Sequence, residues 1–246
     1  MTDAELARDI ADEAGRLLLA IRAEGCETGK ALGVRGDAEA NALILARLAA
    51  ARPGDAILSE EASDDRVRCA APRVWIVDPL DGTREYAEGR EDWAVHVALA
   101  VDRVPLIGAV ALPAQGVTFD SGQRFDRIAT PARPRMVVSR TRPPEAAMTV
   151  ARALDAELIP MGSAGAKAMA VVDGRADIYL HSGGQYEWDN CAPAAVALAA
   201  GLHVSRVDGS PLVYNCENPW LPDLLICHKS RAAQVLVLVR EFAAAQ

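Results

Sequence analysis

Aromatic side chains make up only 4% of the 246 residues, and lysine occurs just three times, as Lys30, Lys167 and Lys229. No apolar run approaches the roughly 18 residues of a membrane-spanning helix, which excludes a membrane partner of that kind. The five cysteines (Cys26, Cys69, Cys191, Cys216 and Cys227) are odd in number and contain no CxxC pair. With no secretory leader at the N-terminus, the expectation is a reduced, cytoplasmic protein with free thiols. Positive charge is also short: 26 Lys and Arg against 34 Asp and Glu leave a net charge of -8. That argues against a nucleic-acid partner, while a small phosphorylated ligand stays admissible because bound cations would reverse the local sign. Internal repeats and low-complexity tracts are absent.

What is present is an ordinary globular composition, 51% hydrophobic and 24% charged, long enough to bury a substantial core. Apolar residues at helical spacing predict a helix from Ala4 to Ala23, closed by Gly25. A second runs from near Asp37 to the Pro53-Gly54 break. Strands are expected at 56–59, 74–77, 94–101 and 106–112, the last two joined around Asp102 and Arg103, with weakly ordered strand and loop over 115–135. Beyond it, strands (136–139, 158–160, 176–180, 224–227) alternate with helices (144–154, 163–172, 190–200, 231–245). The chain therefore reads as α/β, with an α+β half over 1–135 and an α/β half over 136–246, and sites are expected at strand ends and helix starts.

Acid gathers where the pattern makes it costly. Trp75-Ile76-Val77 draws Asp78 and Asp81 toward the interior at a strand end that Pro79 should terminate, and Glu60-Glu61 follow another strand. Buried carboxylates need a positive partner, and Mg²⁺, which takes oxygen ligands and shares them with phosphates, suits that role for one ion or a pair. Asp37 and Asp189 also stand where helix N-caps would, so capping is an alternative reading of each. His96 lies in an apolar strand and reads as a hydrogen-bonded core histidine.

Three stretches in order, Glu60-Glu61, Asp78-Pro79-Leu80-Asp81-Gly82-Thr83 and Trp188-Asp189 with Ala192 and Gly201 downstream, resemble the motifs of the inositol monophosphatase superfamily. The resemblance spans Asp37 to Gly201 and implies an αβαβα layered fold. It implies two or three Mg²⁺ ions held by Glu60, Asp78, the Leu80 carbonyl, Asp81 and Asp189, and inhibition by Li⁺. Asp37, Glu60 and Thr83 would be catalytic, with Asp37 bonding Thr83, and Thr83 and Glu60 orienting the attacking water. Gly82, Thr83, Gly162, Ser163, Lys167 and Tyr186, with Asp81 and Asp189, would contact substrate. N-H groups at 82–83 and 162–164 would face phosphate oxygens, and Lys167 would neutralise a second phosphate or reach Asp81; a loop glycine and a surface lysine are the plainer readings of Gly162 and Lys167.

Residues 162–167 and 179–189 are similar to the nucleotidase branch, which implies removal of the 3′-phosphate of 3′-phosphoadenosine 5′-phosphate in sulfate assimilation. A broader inositol or sugar phosphatase and a catalytically silent metal-binding scaffold are the alternatives, and family habit implies a homodimer. Val34-Arg35-Gly36-Asp37 departs from the family's usual Thr-x-Ala-Asp form, so residues 27–36 are expected to be mobile and to order over the substrate.

Overall fold

The computed structural model describes residues 1–126 and 130–245. Helices α1 (Asp3–Glu24) and α2 (Gly29–Ala51) precede the first sheet, which takes up β1 (Ala56–Ser59) and β2 (Arg73–Asp81). A short helix, α3 (Thr83–Ala87), leads to β3 (Ala94–Val101), β4 (Val104–Leu112) and β5 (Val117–Asp120). These strands lie in sequence order, with β1 and β2 parallel and the remaining pairs antiparallel. The second half supplies β6 (Arg135–Ser139), α4 (Glu145–Ala153), β7 (Glu157–Met161), α5 (Ala164–Val172) and β8 (Ile178–Tyr186). It continues through α6 (Glu187–Ala199), β9 (His203–Ser205), β10 (Trp220–Cys227) and α7 (Lys229–Ala244), and its sheet has the order β7-β6-β8-β10-β9.

Two-residue periodicity sorts the first sheet's side chains between two cores. Trp75, Val77, Val95, Val97, Leu99 and Ala109 pack with α1 and α2. Val74, Ile76, Ala94, Ala98 and Val110 point the other way, into a central core shared with α5, α6 and Val137, Tyr179 and Ile226 of the second sheet. On the second sheet's far face, Met136, Ile178, Leu180 and Leu225 pack with α4 and α7. The layers are therefore α, β, α, β, α, as the resemblance implies.

Three local expectations are corrected. Residues 29–36 are helical, because Gly33 and Gly36 serve close packing: a Cβ at Gly33 would stand 2.7 Å from Thr83 Cγ2, and one at Gly36 would stand 3.0 Å from Leu18 and 3.1 Å from Tyr86. Pro79 does not end β2; it sits in a register break between Asp78 and Asp81, where its missing N-H costs no ladder bond. Within 115–135, read as strand and loop, residues 117–120 form a strand paired with β4, whereas residues 127–129 lie outside the described residues. Finally, β8 runs on to Tyr186 and α6 starts at Glu187, so Asp189 belongs to the first turn of a helix instead of preceding it.

Candidate active site

The parallel pair β1–β2 delivers two acidic segments to the same edge, since Glu60 and Glu61 follow β1 and the Glu60 N-H bonds the Val77 carbonyl at 3.2 Å. The break at Pro79 then turns both Asp78 and Asp81 into the cleft between the sheets. Asp78 Oδ1 accepts the Leu80 N-H at 3.0 Å, which fixes the turn from inside. From the opposite side, α6 contributes Asp189, whose Oδ2 accepts the Tyr186 N-H at 2.5 Å. Oxygens of Asp78, Asp81 and Asp189 all lie within 4.8 Å of one another. Asp37 approaches from α2, with its Oδ2 3.4 Å from Thr83 Oγ1, and that hydroxyl is 3.2 Å from the Leu80 carbonyl.

The acids are not electrostatically equivalent. Asp78 is 1% exposed, and burial, then the charges of Glu60 and Asp81, push its carboxyl well above the ordinary range. Burial first and Glu61 second push Asp37 up to about 7. Burial and Asp81 raise Asp189 to about 6 despite the Tyr186 N-H. Glu60 keeps an open side to solvent, yet loss of water around its head group and the charge of Asp189 raise it as well. No Lys or Arg among the described residues forms an ion pair with Asp37, Glu60, Asp78 or Asp189.

Asp81 is the exception. Burial alone would raise it, but the His96 imidazole, 3.3 Å from Oδ2, the Ser163 hydroxyl and the Gly165 N-H outweigh that and hold it below the ordinary range. Oδ2 accepts Ser163 Oγ at 2.5 Å and Gly165 N at 2.6 Å, and Oδ1 accepts Ala164 N at 3.1 Å. The start of α5 thus closes on a protein carboxylate, where free N-H groups and the helix dipole favour an anion. Asp81 polarises His96 in return: its charge raises the ring's affinity for a proton against the opposing effect of full burial, while Nδ1 lies 3.0 Å from the Trp188 carbonyl.

This arrangement corrects two expectations. The N-H groups of Ala164 and Gly165 face Asp81, and that of Gly162 bonds Asp92 Oδ2 at 2.6 Å, so carboxylates of the chain take the place assigned to phosphate oxygens. Lys167 turns inward. Its ammonium bonds the Gly162 and Ser163 carbonyls at 2.6 and 2.7 Å and lies over the Tyr179 ring, so it fastens the loop from beneath. Gly82, at φ 89°, opens α3 beside Thr83, and Tyr186 stands exposed at the rim, stacked on Trp188.

Sequence reading missed the residues that hold residues 162–165 in place. Asp92 is gripped by Arg90 through two bonds, and Glu85, held by Arg140, fills the space beside Gly162, where a Cβ would meet it at 2.3 Å. Nothing in the periodicity of 84–92 marks these roles. At Gly165 a Cβ would stand 2.1 Å from His96 Nε2 and 3.0 Å from Ala94. Gly165→Ala is therefore expected to cost about 2 kcal/mol of stability and to pull two N-H donors off Asp81, checked by thermal melting.

The sequence pattern of the inositol monophosphatase family matches residues 6–241. A 3′-phosphoadenosine 5′-phosphate phosphatase of Mycobacterium leprae is 52% identical, the alignment covering 98% of this chain and 94% of the relative. The 3′(2′),5′-bisphosphate nucleotidase CysQ of Escherichia coli is 32% identical over 75% of this chain and 80% of its own length. Among solved structures, CysQ from Bacteroides thetaiotaomicron superposes with a TM-score of 0.77 at 28% identity, covering 92% of this chain and 97% of that one. An inositol monophosphatase from Anabaena shares the fold at a TM-score of 0.78 and 21% identity, over 97% and 95% of the two chains. This chain belongs to the inositol monophosphatase family.

Proposed function

We propose that this chain is a Mg²⁺-dependent phosphomonoesterase that removes the 3′-phosphate of 3′-phosphoadenosine 5′-phosphate, giving AMP and phosphate. The convergence of Asp78, Asp81 and Asp189 carries the chemistry, and near-full-length likeness to the mycobacterial phosphatase supports the substrate. The residues fit a hard cation: the donors are all oxygen, and buried acids without cationic partners are the arrangement a divalent ion relieves. Glu60, Asp78, the Leu80 carbonyl, Asp81 and Asp189 would hold Mg²⁺. When bound, Mg²⁺ supplies positive charge to the ester and makes water a better nucleophile.

The chain's own groups do the rest. The Thr83 hydroxyl, placed between Asp37 and the Leu80 carbonyl, has a fixed direction in which to accept a hydrogen bond from a water. Asp37, with its raised affinity for protons, can accept the proton that Thr83 passes on as that water attacks phosphorus. Glu60 offers a second acceptor at the open side. Asp81, Ser163 and the start of α5 hold the floor still while charge builds on the ester, so little reorganisation is needed during the reaction.

The same reading carries a homodimer, a cytoplasmic place in sulfate assimilation and inhibition by Li⁺ competing for a Mg²⁺ position, all supported by the family resemblance. Millimolar LiCl is expected to inhibit; indifference to it would remove that part alone. The deciding experiment is phosphate release from 3′-phosphoadenosine 5′-phosphate, inositol 1-phosphate and fructose 1,6-bisphosphate, each at the same concentration with Mg²⁺. The nucleotide is expected to be turned over fastest, and a preference for either other ester would overturn the assignment.

A further inference from the structure

Tyr186 and Trp220 are the two aromatic side chains left largely exposed among the described residues, at 45% and 47%. Both stand at the rim of the candidate active site. They are directly paired across β8 and β10, which brings their backbones together at the ends of the two strands. Tyr186 stacks on Trp188 with ring centroids 4.7 Å apart and planes 8° from parallel. The Tyr186 N-H bonds Asp189, so the aromatic rim begins one hydrogen bond from the acid cluster. Of the four tryptophans, Trp75 and Trp93 are fully buried, which leaves the other two on this rim.

Local sequence holds the Trp220 ring in place. Gly184 adopts φ 95° and has no side chain where the indole lies; a Cβ there would stand 2.6 Å from Trp220 Nε1. The ring is therefore seated against the β8 backbone instead of swinging free. Among the described residues, the largely exposed aromatic surface lies here, beside a site that binds a phosphate ester.

We propose that Tyr186, Trp188 and Trp220 form a stacking shelf for the purine ring of the substrate. This inference rests on the nucleotidase reading and extends it from the phosphate to the base. Stacking suits a ligand whose phosphates are already engaged by cations, because it adds affinity through ring faces without further charge. Loss of one base–aromatic contact is large enough to lower affinity about 10-fold or more.

The test compares kcat/KM for 3′-phosphoadenosine 5′-phosphate with that for the base-free ribose 3,5-bisphosphate, in wild type, Trp220→Ala and Trp220→Phe. Wild type is expected to favour the nucleotide, Trp220→Ala to lower that preference by about 10-fold or more, mainly through KM, and Trp220→Phe to restore most of it. Equal losses on both esters would overturn the shelf, since a general disturbance of the site would act that way. An unchanged preference in Trp220→Ala would also overturn it, as would a change confined to oligomeric state by light scattering, which would mark the patch as a contact between copies. Wild type showing no preference for the nucleotide would instead count against the nucleotidase reading itself.

Discussion

Asp81→Asn is expected to lower kcat/KM on the nucleotide by about three decades and to destabilise the protein as well. The rate loss is expected because Asp81 would supply one charge of the proposed Mg²⁺ ligand set where charge builds on the ester. The stability loss is particular to this position. Both oxygens of Asp81 accept bonds from Ser163, Ala164 and Gly165. An amide nitrogen in place of either oxygen would face a donor, an unmet contact costing about 1–3 kcal/mol. Asp78→Asn is expected to lose comparable activity for the first reason, with the opposite effect on the metal-free fold. Asp78 is buried among other carboxylates, and the Leu80 N-H that its Oδ1 accepts can still be met by the amide oxygen. Melting in EDTA at pH 8 separates the two: Asp81→Asn below wild type, Asp78→Asn above it. Both variants melting below wild type would show that the acids had been sorted wrongly.

Stabilisation by Mg²⁺ should grow steeply with pH. Asp37, Asp78 and Asp189 bind protons more tightly in the folded chain than in the unfolded one. Across the interval from the ordinary carboxylate range near 4 to about 7, the native state therefore holds more protons, and stability falls as pH rises through it. Below the interval the contribution is intact, and above it the penalty from Asp37 and Asp189 is complete. Each unit of raised affinity corresponds to about 1.4 kcal/mol, so the cluster places several kcal/mol of strain on the metal-free protein at pH 8. Asp81, held below the ordinary range, acts only in acid and leaves this trend alone. A saturating cation offsets the repulsion, and for a chain of this size a rise of about 5–10 °C in Tm is expected at pH 8 against about 2 °C or less at pH 5. An equal rise at both values would mean that Mg²⁺ binds away from these acids.

The layered fold was legible because its signals are periodic. Helical spacing marks α1, and two-residue alternation in 74–77 and 94–101 places consecutive residues in different cores. The acids were legible because an apolar strand that ends in Asp78 and Asp81 leaves charge in the interior without an evident partner. What stayed hidden depends on three-dimensional proximity. Gly33 and Gly36 look like loop residues until α2 is seen against Thr83 and Tyr86. Lys167 reads as a free cation at the edge of a binding loop, and only the fold turns it beneath that loop, toward two carbonyls. His96, read as a core histidine, is one, but its neighbour is Asp81, 15 residues back along the chain. Strand pairing, not local pattern, brings them together.

Phosphate release from 3′-phosphoadenosine 5′-phosphate, followed as Mg²⁺ is titrated into EDTA-treated protein, tests most directly whether the gathered acids work through a divalent cation. The rate should start at the buffer background and climb to saturation with added Mg²⁺ in wild type, and stay near background in Asp78→Asn. Full turnover in EDTA, or an undiminished rate in the variant, would contradict the account.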